Sequence, residues 1–439
     1  MGGIAAIARE AGYRVTGCDA NVYPPMSDQL SALGIELIEG YAEDQLALRP
    51  DVWVIGNAIT RGNPLMEAIL DRGERYQSGP EWLRENVLHS KWVFAVAGTH
   101  GKTTTSAMLA WILERCGRTP GFLIGGIPAD FSISARMSPS PLFVIEADEY
   151  DTAFFDKRSK FVHYRPKTAI LNNIEFDHAD IFDDLAAIER QFRHFVRIIP
   201  RTGLIVANAA DEVVKRVLTP AWTPIEKFGP QSGWEAEHPD PDGHFGVLWR
   251  KNAVGRVKWA LTGEHNQMNA LAALAAAKHA GVEPQAAIEA LSSFSGVRRR
   301  MEVRGAERGV TVYDDFAHHP TAIRTTLEGL RAKVGSGRIL AVLEPRSNTM
   351  KQGRMKDALP ASLAAADAVY FYASGLDWDP VGVFQGTGRQ VRAATSVDAL
   401  VGEIAKEARS GDQIVVMSNG GFGGIHGKLL AALRAGAGQ

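Results

Sequence analysis

Runs of apolar residues that end in polar side chains recur along the chain and alternate with stretches of helical periodicity. The clearest runs cover residues 94–97, 141–145, 168–171, 203–208, 310–314, 339–343, 368–372 and 413–418. Short continuous apolar runs are typical of strands that are buried on both faces of a parallel sheet, and the stretches between them can hold crossover helices. The pattern therefore predicts an α/β protein.

The first part of the chain predicts an incomplete dinucleotide-type unit. Residues 4–11 indicate a helix that ends at Gly12, and residues 13–19 indicate a short strand that closes on an acid. In such a unit a strand and a glycine turn precede this helix, and here they are largely absent. We therefore expect the chain to begin inside its first loop, with Gly2 and Gly3 as the end of the turn. The alternative is a fold that simply begins with a helix.

Length, composition and charge narrow the class of protein. A chain of 439 residues predicts two to four domains, and 45% hydrophobic with 22% charged residues is typical of a soluble globular protein. The formal net charge of -2 provides no general attraction to nucleic acid or to an anionic membrane. Two cysteines, no signal-peptide pattern and no apolar run of about 18 residues fit a reducing cytoplasm. We therefore expect a cytoplasmic protein that binds neither nucleic acid nor membrane.

The apolar run at 94–97 leads into a glycine-rich loop and then into a helix. The loop reads Gly98-Thr99-His100-Gly101-Lys102-Thr103-Thr104. Glycines let backbone N–H groups approach an anion, a helix N-terminus adds positive potential, the lysine neutralises outer phosphates, and the next threonine can reach Mg²⁺. The generic pattern has a glycine where this chain has Val96, so the loop is a shorter variant. It predicts a phosphate site; the alternative is a turn that only shapes the backbone.

Two further apolar runs end in acids and in a histidine. The acids after the run at 141–145 are Glu146, Asp148, Glu149 and Asp151. The run at 168–171 leads to Asp177 and His178. A strand that delivers a carboxylate beside a phosphate loop can hold Mg²⁺ directly or through water. We favour ligand roles for these groups; the alternatives are a solvated turn for the acids and a structural role for His178.

The next segments predict a nucleotide-reading helix and a domain joint. Residues 227–246 are rich in glycine, proline and acids and predict a loop with a short hairpin. An alanine-rich helix follows over 263–280, and Asn266 and Asn269 share a face near its start, where their amides could read an adenine edge. The alternative is that they only cap the helix. The basic stretch at 296–302 then indicates a domain joint.

With these motifs in view, the chain resembles the Mur ligase family, ATP-dependent enzymes that form amide bonds in peptidoglycan synthesis. The shared motifs are the loop at 98–104, Glu146-Ala147-Asp148-Glu149, Asn173-Ile174-Glu175 with Asp177-His178, His265-Asn266 with Asn269, Arg300, and Asp314-Asp315 with His318-His319-Pro320. They occur in the family's order across nearly the whole chain. The resemblance implies three domains: a Rossmann-like, UDP-sugar-binding domain at 1–91 that lacks its first strand, a central P-loop ATPase-type domain at 92–296, and a Rossmann-like C-terminal domain at 297–439.

Within the family, the Asp-Asp-x-Ala-His-His-Pro motif is similar to the branch that acts on UDP-N-acetylmuramate. The segments at 150–166 and 344–351 look like those of members that attach the tripeptide L-alanyl-γ-D-glutamyl-meso-diaminopimelate during peptidoglycan recycling. The resemblance therefore implies small-molecule substrates, and we expect a monomer or weak dimer. The alternatives are the same reaction with L-alanine, a folylpolyglutamate-type ligase, and a nucleotide-binding protein that senses muropeptides without ligating them.

The resemblance also implies ATP and Mg²⁺ as cofactors, an acyl-phosphate intermediate, and a role for each motif residue. The implied catalytic residues are Lys102, Glu146, His178, Arg300 and His318. The implied nucleotide contacts are Gly98, Thr99, His100, Gly101, Lys102, Thr103, Thr104, Asn266, Asn269, Arg300 and Asp315. The implied Mg²⁺ ligands are Thr103, Glu146 and His178. Contacts to the tripeptide carboxylates are implied for Arg346, Ser347 and Asn348, with a surface ion pair as the alternative for Arg346.

Overall fold

In the described part of the chain, the β-structure is divided among two large sheets and three small ones. The computed structural model describes residues 1–22, 26–178, 181–240 and 242–435. Within these residues a ten-stranded sheet occupies the middle of the chain and a six-stranded sheet occupies the end. Strands and helices alternate along most of the chain, so the predicted α/β class is confirmed.

The first part of the chain contains two small parallel sheets and several helices. The helices are α1 (Gly2–Glu10), α2 (Met26–Ala32), α3 (Pro64–Asp71) and α4 (Gly79–Asn86), with 3-10 turns at Glu43–Leu48 and Leu88–Ser90. The paired strands are β1 (Thr16–Asp19) with β2 (Glu36–Glu39), and β3 (Trp53–Ile55) with β4 (Tyr76–Ser78). The first helix starts at Gly2 rather than residue 4, and the first strand starts at Thr16 rather than residue 13.

Two helices attach this first part to the middle of the protein. Ile7 of α1 is fully buried, and it belongs to the same apolar core as Trp82 of α4 and Phe143 of the central sheet. Helix α4 begins with a capping box, in which Ser78 Oγ accepts from the Glu81 N–H at 3.2 Å while the Glu81 carboxylate accepts from the Ser78 N–H. The cap fixes where α4 begins, so its apolar face meets the central sheet.

The middle of the chain forms a mixed sheet with helices on both faces. Its strands are β5 (Trp92–Ala97), β6 (Gly121–Leu123), β7 (Ala135–Arg136), β8 (Leu142–Glu146), β11 (Thr168–Leu171), β12 (Leu204–Asn208), β13 (Ile225–Phe228), β14 (Trp234–Ala236), β15 (Phe245–Trp249) and β16 (Asn252–Val257), in the order β16-β15-β14-β13-β12-β11-β5-β8-β6-β7. Its helices are α5 (Lys102–Arg115), α7 (Leu185–Arg197), α8 (Glu212–Val217), α9 (Glu264–His279) and α10 (Pro284–Ser292). Strands β8, β5, β11 and β12 run parallel, so their C-terminal ends share one edge.

The prediction of a loop and short hairpin for residues 227–246 is wrong in part. Strand β14 and the start of β15 lie in this segment and pair antiparallel, which confirms the hairpin, but together with β13 and β16 they also extend the central sheet. Trp234 and Phe245 are fully buried, and the indole N–H of Trp234 donates to Glu226 Oε1 at 2.7 Å. The three-residue strand β14 is too short to show a period-2 pattern, so its burial depends on long-range packing that local composition does not reveal.

Close packing of α5 against α9 supports the phosphate loop. Residues 270–277 of α9 are all buried, and they consist of alanines and two leucines. Small side chains let two helices approach closely, and the first turns of both helices then lie near the end of β5. The alanine-rich sequence therefore serves to bring α9 against the loop.

The segment at 150–166 forms a small hairpin and a short helix beside α4. Strand β9 (Asp151–Ala153) pairs with β10 (Asp156–Ser159), and α6 (Phe161–Tyr164) follows. Phe161 is fully buried and contacts the rings of Phe192 and Phe195 of α7. This segment thus covers the central sheet between α4 and α7.

The last part of the chain forms the second large sheet. Its strands are β17 (Glu302–Glu307), β18 (Val310–Asp315), β19 (Ile339–Leu343), β20 (Ala368–Tyr372), β21 (Gln390–Ala394) and β22 (Gln413–Met417), in the order β17-β18-β22-β19-β20-β21. Its helices are α11 (Pro320–Val334), α12 (Asn348–Lys351), α13 (Leu359–Ser362), α14 (Val397–Glu407) and α15 (Ile425–Ala435), with 3-10 turns at Lys356–Ala358, Gly382–Phe384 and Phe422–Gly424. Only β17 is antiparallel to its neighbour among these described strands.

The backbone joins the two large sheets at the basic stretch predicted as a joint. Pro128 forms an isolated β-bridge with Val297, and the Arg298 N–H donates to the Ile127 carbonyl at 2.9 Å. The Ala129 N–H donates to the Gly296 carbonyl at 3.0 Å. These bonds place Arg300 beside the phosphate loop, so residues distant in sequence form one site.

Candidate active site

The loop between β5 and α5 depends on two glycines. Gly98 has φ 136° and Gly101 has φ 80°, a region that side chains rarely adopt. A Cβ on Gly98 would lie 3.0 Å from the Asn173 carbonyl oxygen, and one on Gly101 would lie 2.4 Å from Asn269 Oδ1. Glycine is therefore required at both positions for conformation and for space.

The strand-end segment after β11 holds the first half of this loop. The Thr99 N–H donates to the Asn173 carbonyl at 2.9 Å, and the His100 N–H donates to Asn173 Oδ1 at 2.7 Å. The first N–H groups of α5 have no partner within the helix, so these are the groups that remain to bind an anion. Thr99 and His100 are predicted nucleotide contacts, but their backbone N–H groups already donate hydrogen bonds to Asn173 within the protein.

Lys102 lies at the start of α5 and its ammonium group is buried against acids. Its Nζ donates to the Gly98 carbonyl at 2.6 Å and to Glu149 Oε2 at 2.9 Å, and Asp148 Oδ1 lies 4.0 Å away. Burial by itself would lower the pKa of Lys102, but the charges of Glu149 and Asp148 outweigh it and raise the pKa. Lys102 is therefore a fixed positive charge at the loop.

Glu149, one of the acids for which the sequence favours a ligand role, instead links Lys102 to His178. Its carboxylate is almost fully buried, with Oε2 bonded to Lys102 and Oε1 at 3.4 Å from His178 Nε2. Burial opposes ionisation, yet Lys102 and His178 lower the pKa of Glu149 to about 2. The alternative of a solvated acidic turn is therefore wrong for Glu149.

His178 occupies the polar end of the neighbouring strand, as the sequence predicts. Burial would lower its pKa, but the hydrogen bond to Glu149 and the charge of Asp177 raise it. Its backbone has φ 56°, an unusual conformation for a non-glycine residue that is often found at functional sites. Asp148, Glu149 and His178 place one ligand atom each within 4.8 Å of one another, which suits a divalent cation.

Thr103 and Glu146 form a second oxygen-rich pair. Thr103 Oγ1 donates to Glu146 Oε1 at 3.0 Å, and the Gly125 N–H donates to Glu146 Oε2 at 2.7 Å. Burial raises the pKa of Glu146, and the Gly125 N–H and Lys102 act in the opposite direction. Arg300 Nη2 lies 3.5 Å from Thr103 Oγ1. Predicted metal ligands and a predicted phosphate contact therefore meet at the start of α5.

Asn266 and Asn269 do not share an open face. Asn266 Nδ2 donates to the Thr262 carbonyl at 2.7 Å, while the N-cap of α9 is Gly263 and no side chain caps the helix, so the capping alternative is not confirmed. Asn269 is buried and its Oδ1 accepts from Thr105 Oγ1 at 3.0 Å, beneath the loop. The prediction that both amides form one adenine-reading surface is wrong in this geometry, because α9 packs too closely on α5 to leave Asn269 accessible.

Asp315 lies inside the joint rather than at its surface. One carboxylate oxygen accepts from the Met301 N–H at 2.8 Å, and the other accepts from the Ala317 N–H at 2.8 Å. Burial raises the pKa of Asp315, and the charge of Arg300 partly offsets this. The contacts of Asp315 seen here shape the backbone on both sides of the joint.

His318 follows β18 and faces the loop with one nitrogen occupied. Its Nδ1 lies 3.0 Å from the Phe316 carbonyl oxygen. A carbonyl oxygen only accepts, so Nδ1 carries the proton and Nε2 of the neutral ring is an acceptor. Burial lowers the pKa of His318, which favours the neutral ring near neutral pH.

The structure gives the three residues predicted to contact the tripeptide different surroundings. Arg346 is exposed and its guanidinium lies against Gly420 in the loop after β22. Ser347 caps α12 by accepting from the Met350 N–H at 3.4 Å, and Asn348 is exposed at the first turn of that helix. The two loops meet because β19 and β22 are parallel neighbours.

Side chains that the sequence does not predict to meet join the loop to the last part of the chain. Glu175 Oε2 lies 3.2 Å from His100 Nε2 and accepts from Thr321 Oγ1 at 2.7 Å. His319, the residue before α11, lies with its ring centroid 4.7 Å from that of His100. Glu175 and His319 both stand in the motifs quoted above, but their spacing in sequence gives no sign that they meet.

Fold and site together define a multidomain α/β protein built around a phosphate loop. Three family models match it in chain order: the Mur ligase family catalytic domain at residues 1–91, the Mur ligase middle domain at 96–277, and the Mur ligase glutamate ligase domain at 299–420. The chain therefore belongs to the Mur ligase family, and the predicted family is confirmed.

Individual members of the family differ in how similar they are to this chain. The chain is 55% identical, over 99% of its length and 96% of the relative, to the UDP-N-acetylmuramate–L-alanyl-γ-D-glutamyl-meso-2,6-diaminoheptandioate ligase of Escherichia coli strain K12. A crystal structure of a murein peptide ligase from Psychrobacter arcticus 273-4 has a TM-score of 0.76 and 47% identity, covering 99% of this chain and 96% of that one. A UDP-N-acetylmuramate–L-alanine ligase of Arthrobacter sp. strain FB24 is 34% identical over 92% of this chain and 87% of the relative.

Among the helices in the described part of the chain, none combines the length and the apolar character needed to cross a bilayer.

Proposed function

We propose that the protein is an ATP-dependent ligase that joins L-alanyl-γ-D-glutamyl-meso-diaminopimelate to UDP-N-acetylmuramate in peptidoglycan recycling. One observation carries the choice of substrates: 55% identity to a relative named for this reaction, against 34% to one named for L-alanine. The geometry of Lys102, Thr103 and Arg300 supports the phosphoryl-transfer half of the chemistry.

A carboxylate must be activated before an amine can displace one of its oxygens. In this proposal the lactyl carboxylate of UDP-N-acetylmuramate attacks the γ-phosphate of ATP, which gives an acyl phosphate and ADP. The L-alanyl amine of the tripeptide then attacks the acyl carbon, phosphate leaves, and the amine loses a proton. Charge accumulates on the transferring phosphoryl group in the first step, so positive groups held beside it lower the barrier.

Lys102 and Arg300 would supply this charge from two sides of the loop. Lys102 is held by the Gly98 carbonyl and by Glu149, so its ammonium is already in place before ATP binds. Arg300 reaches Thr103 from the joint, and its position therefore depends on the backbone bonds between the two large sheets. Both charges would neutralise the outer phosphates of ATP.

The residues present fit Mg²⁺, a hard cation that prefers oxygen ligands. Thr103 Oγ1 and Glu146 Oε1 are 3.0 Å apart and would hold one ion, while His178, with Asp148 near it, would hold a second. A bound Mg²⁺ would withdraw charge from the phosphate oxygens. Burial raises the pKa of Glu146, and a cation bound beside this carboxylate would act in the opposite direction.

His318 would act on the incoming amine. Its Nδ1–H is committed to the Phe316 carbonyl, so the unprotonated Nε2 is the nitrogen that can accept a proton. The lowered pKa of His318 keeps this nitrogen unprotonated near neutral pH. Arg346 would bind a carboxylate of the tripeptide, because its exposed guanidinium forms a planar fork, while Ser347 and Asn348 would contribute from the first turn of α12.

We further propose domain limits at 91/92 and 296/297, a cytoplasmic location and a monomer or weak dimer. The first limit lies between the turn at Leu88–Ser90 and β5, and the second lies next to the joint at Val297. Sedimentation of the purified protein tests the last of these statements.

Phosphate release from ATP, measured with Mg²⁺ and UDP-N-acetylmuramate, tests the function. We expect turnover when the tripeptide is added and none above background with L-alanine, with product identified by mass. Turnover with L-alanine alone would move the protein to the alanine-adding branch. Absence of phosphate release with either amine, in protein that still binds a nucleotide analogue, would overturn the proposal and favour a binding protein.

A further inference from the structure

A cluster of four side chains connects the phosphate loop to the last part of the chain, and we call it the junction. It consists of His100 from the loop, Glu175 from the segment after β11, and His319 and Thr321 at the start of α11. Glu175 Oε2 accepts from Thr321 Oγ1 at 2.7 Å and lies 3.2 Å from His100 Nε2. One carboxylate oxygen thus contacts both the phosphate loop and a helix of the second large sheet.

The hydrogen bonds of His319 indicate how the junction is held. Its Nδ1 accepts from the Thr321 N–H at 3.2 Å, and its Nε2 lies 3.4 Å from the Phe176 carbonyl oxygen. Since that oxygen can only accept, Nε2 carries the proton and the ring is neutral. His100, Glu175 and His319 lie close enough to hold a cation, but Nδ1 of His319 and the Glu175 oxygen already have partners. The junction is therefore a hydrogen-bonded contact.

The backbone of Glu175 is also tied to the loop. The Glu175 N–H donates to Thr99 Oγ1 at 2.9 Å, and Thr99 Oγ1 donates to the Glu175 carbonyl at 3.3 Å. Asn173 also accepts from the Thr99 and His100 N–H groups, so these four hydrogen bonds tie the loop to this segment. A shift of the loop would therefore reach the Glu175 carboxylate through these bonds.

We propose that Glu175 is a positioning residue that couples the phosphate loop to α11. When nucleotide orders the loop, the Glu175 carboxylate holds Thr321 and thereby fixes the start of α11 and His318, which lies just before it. The catalytic consequence rests on the proposed function, because His318 must face the acyl phosphate during amide formation. The structural coupling itself does not depend on which amine is used.

Removal of the Thr321 hydroxyl tests the coupling with little change in shape. Thr321→Val deletes the donor to Glu175, and Thr325→Val is a matched control, since the Thr325 hydroxyl donates to the Ala322 carbonyl within the same helix. We expect kcat for ligation to fall about ten- to a hundredfold in Thr321→Val, the range for a hydrogen bond to a charged group, while KM for ATP stays within about twofold. Thr325→Val should match the wild type.

A double variant distinguishes the loss of this coupling from a general loss of structure. If Glu175 acts through Thr321, Glu175→Gln combined with Thr321→Val should lose no more activity than the worse single variant. Losses that multiply, or a Thr321→Val enzyme that matches the Thr325→Val control, would overturn the proposal.

Hydrogen exchange provides a measurement that needs no ligation. In wild-type protein, a non-hydrolysable ATP analogue with Mg²⁺ should slow amide exchange at residues 321–327, and this response should disappear in Thr321→Val although the analogue still slows exchange at 98–105. No nucleotide response at 321–327 in the wild type would refute the coupling. A normal response in protein that ligates neither amine would refute the proposed function and leave the coupling standing.

Discussion

At the residue scale, the site is organised by a row of alternating charges. The ammonium of Lys102, the carboxylate of Glu149 and the imidazole of His178 follow one another at hydrogen-bond or ion-pair distance. A buried charge is tolerated only when it is paired, so each member of the row depends on the next. The raised pKa of Lys102 and the pKa of about 2 for Glu149 result from this pairing, because each charge stabilises the other.

Replacement of Lys102 tests its role directly. Lys102→Ala should reduce phosphate release by about a thousandfold or more, because a buried cation is lost from the position of the transferring phosphoryl group. Circular dichroism should still report a folded protein. The control is Lys157→Ala, since Lys157 is paired with Asp151 but is 71% exposed. Retained turnover in Lys102→Ala would refute the assigned role.

The protonation of His318 predicts the acid side of the pH profile. Because burial lowers its pKa, the limb of kcat/KM that belongs to His318 should lie below about pH 6.5, the ordinary histidine pKa, and therefore below any limb from His178, whose pKa is raised. Asp177, Arg300 and His100 are the charged or titratable groups that act on His318. His318→Gln should lower kcat about a hundredfold and remove this limb. An exposed histidine, His89, gives the control variant His89→Gln. The same limb in both variants would contradict the assignment.

At the element scale, the glycines at the two ends of α5 separate two effects of this residue type. Gly101 and Gly117 both have positive φ, 80° and 73°, but only Gly101 has neighbours that a Cβ would meet. Gly101→Ala should therefore weaken ATP binding strongly, because the added methyl would push Asn269 and shift the loop. Gly117→Ala should lower stability by about 1 kcal/mol and leave nucleotide affinity unchanged.

Isothermal titration with a non-hydrolysable ATP analogue, together with thermal unfolding, checks this pair of variants. Equal affinity in Gly101→Ala and Gly117→Ala would show that the approach of Asn269 to the loop does not control nucleotide binding.

At the scale of the whole molecule, the first and last parts of the chain both pack against the central part. Ile7 of α1 packs in its core from one side, and the bridge between Pro128 and Val297 joins it to the second large sheet. The site residues described above come from the middle and the last part of the chain, and Arg300, His318 and Thr321 lie outside the central sheet. We therefore expect these two parts to close on the substrates.

The acid stability of the molecule should depend on Glu149. Its pKa in the folded protein is about 2, below the ordinary value of 4.5, so its contribution is present above about pH 4.5 and is lost as the pH falls toward 2. Glu149→Gln should destabilise the protein by about 3–5 kcal/mol at pH 7, since it leaves Lys102 buried without its partner. The difference in free energy of unfolding between Glu149→Gln and the wild type should become smaller at acidic pH.

Thermal unfolding between pH 7 and pH 3 measures this difference. Glu67→Gln is the control: Glu67 also has a pKa of about 2, but its partner Arg61 is 68% exposed, so salt screens the pair. A Glu149→Gln variant as stable as the wild type at pH 7 would contradict the prediction.

The sequence by itself determined the fold class, the family, the phosphate loop and most strand ends that carry site residues. These features are local: a run of apolar residues, two glycines before Lys102, or acids after a strand specify them without reference to distant parts. The same local signals placed Glu146 and His178 near the loop, because parallel strands end at one edge of a sheet.

Only the tertiary structure decided which side chains meet. The pairing of Glu149 with Lys102, the burial of Asn269, the extension of the sheet through Trp234 and the contact of Glu175 with Thr321 all join residues from different elements. Their positions depend on how helices and sheets pack. Packing is a property of the whole chain, since each contact is stabilised by burial of surfaces that are far apart in sequence.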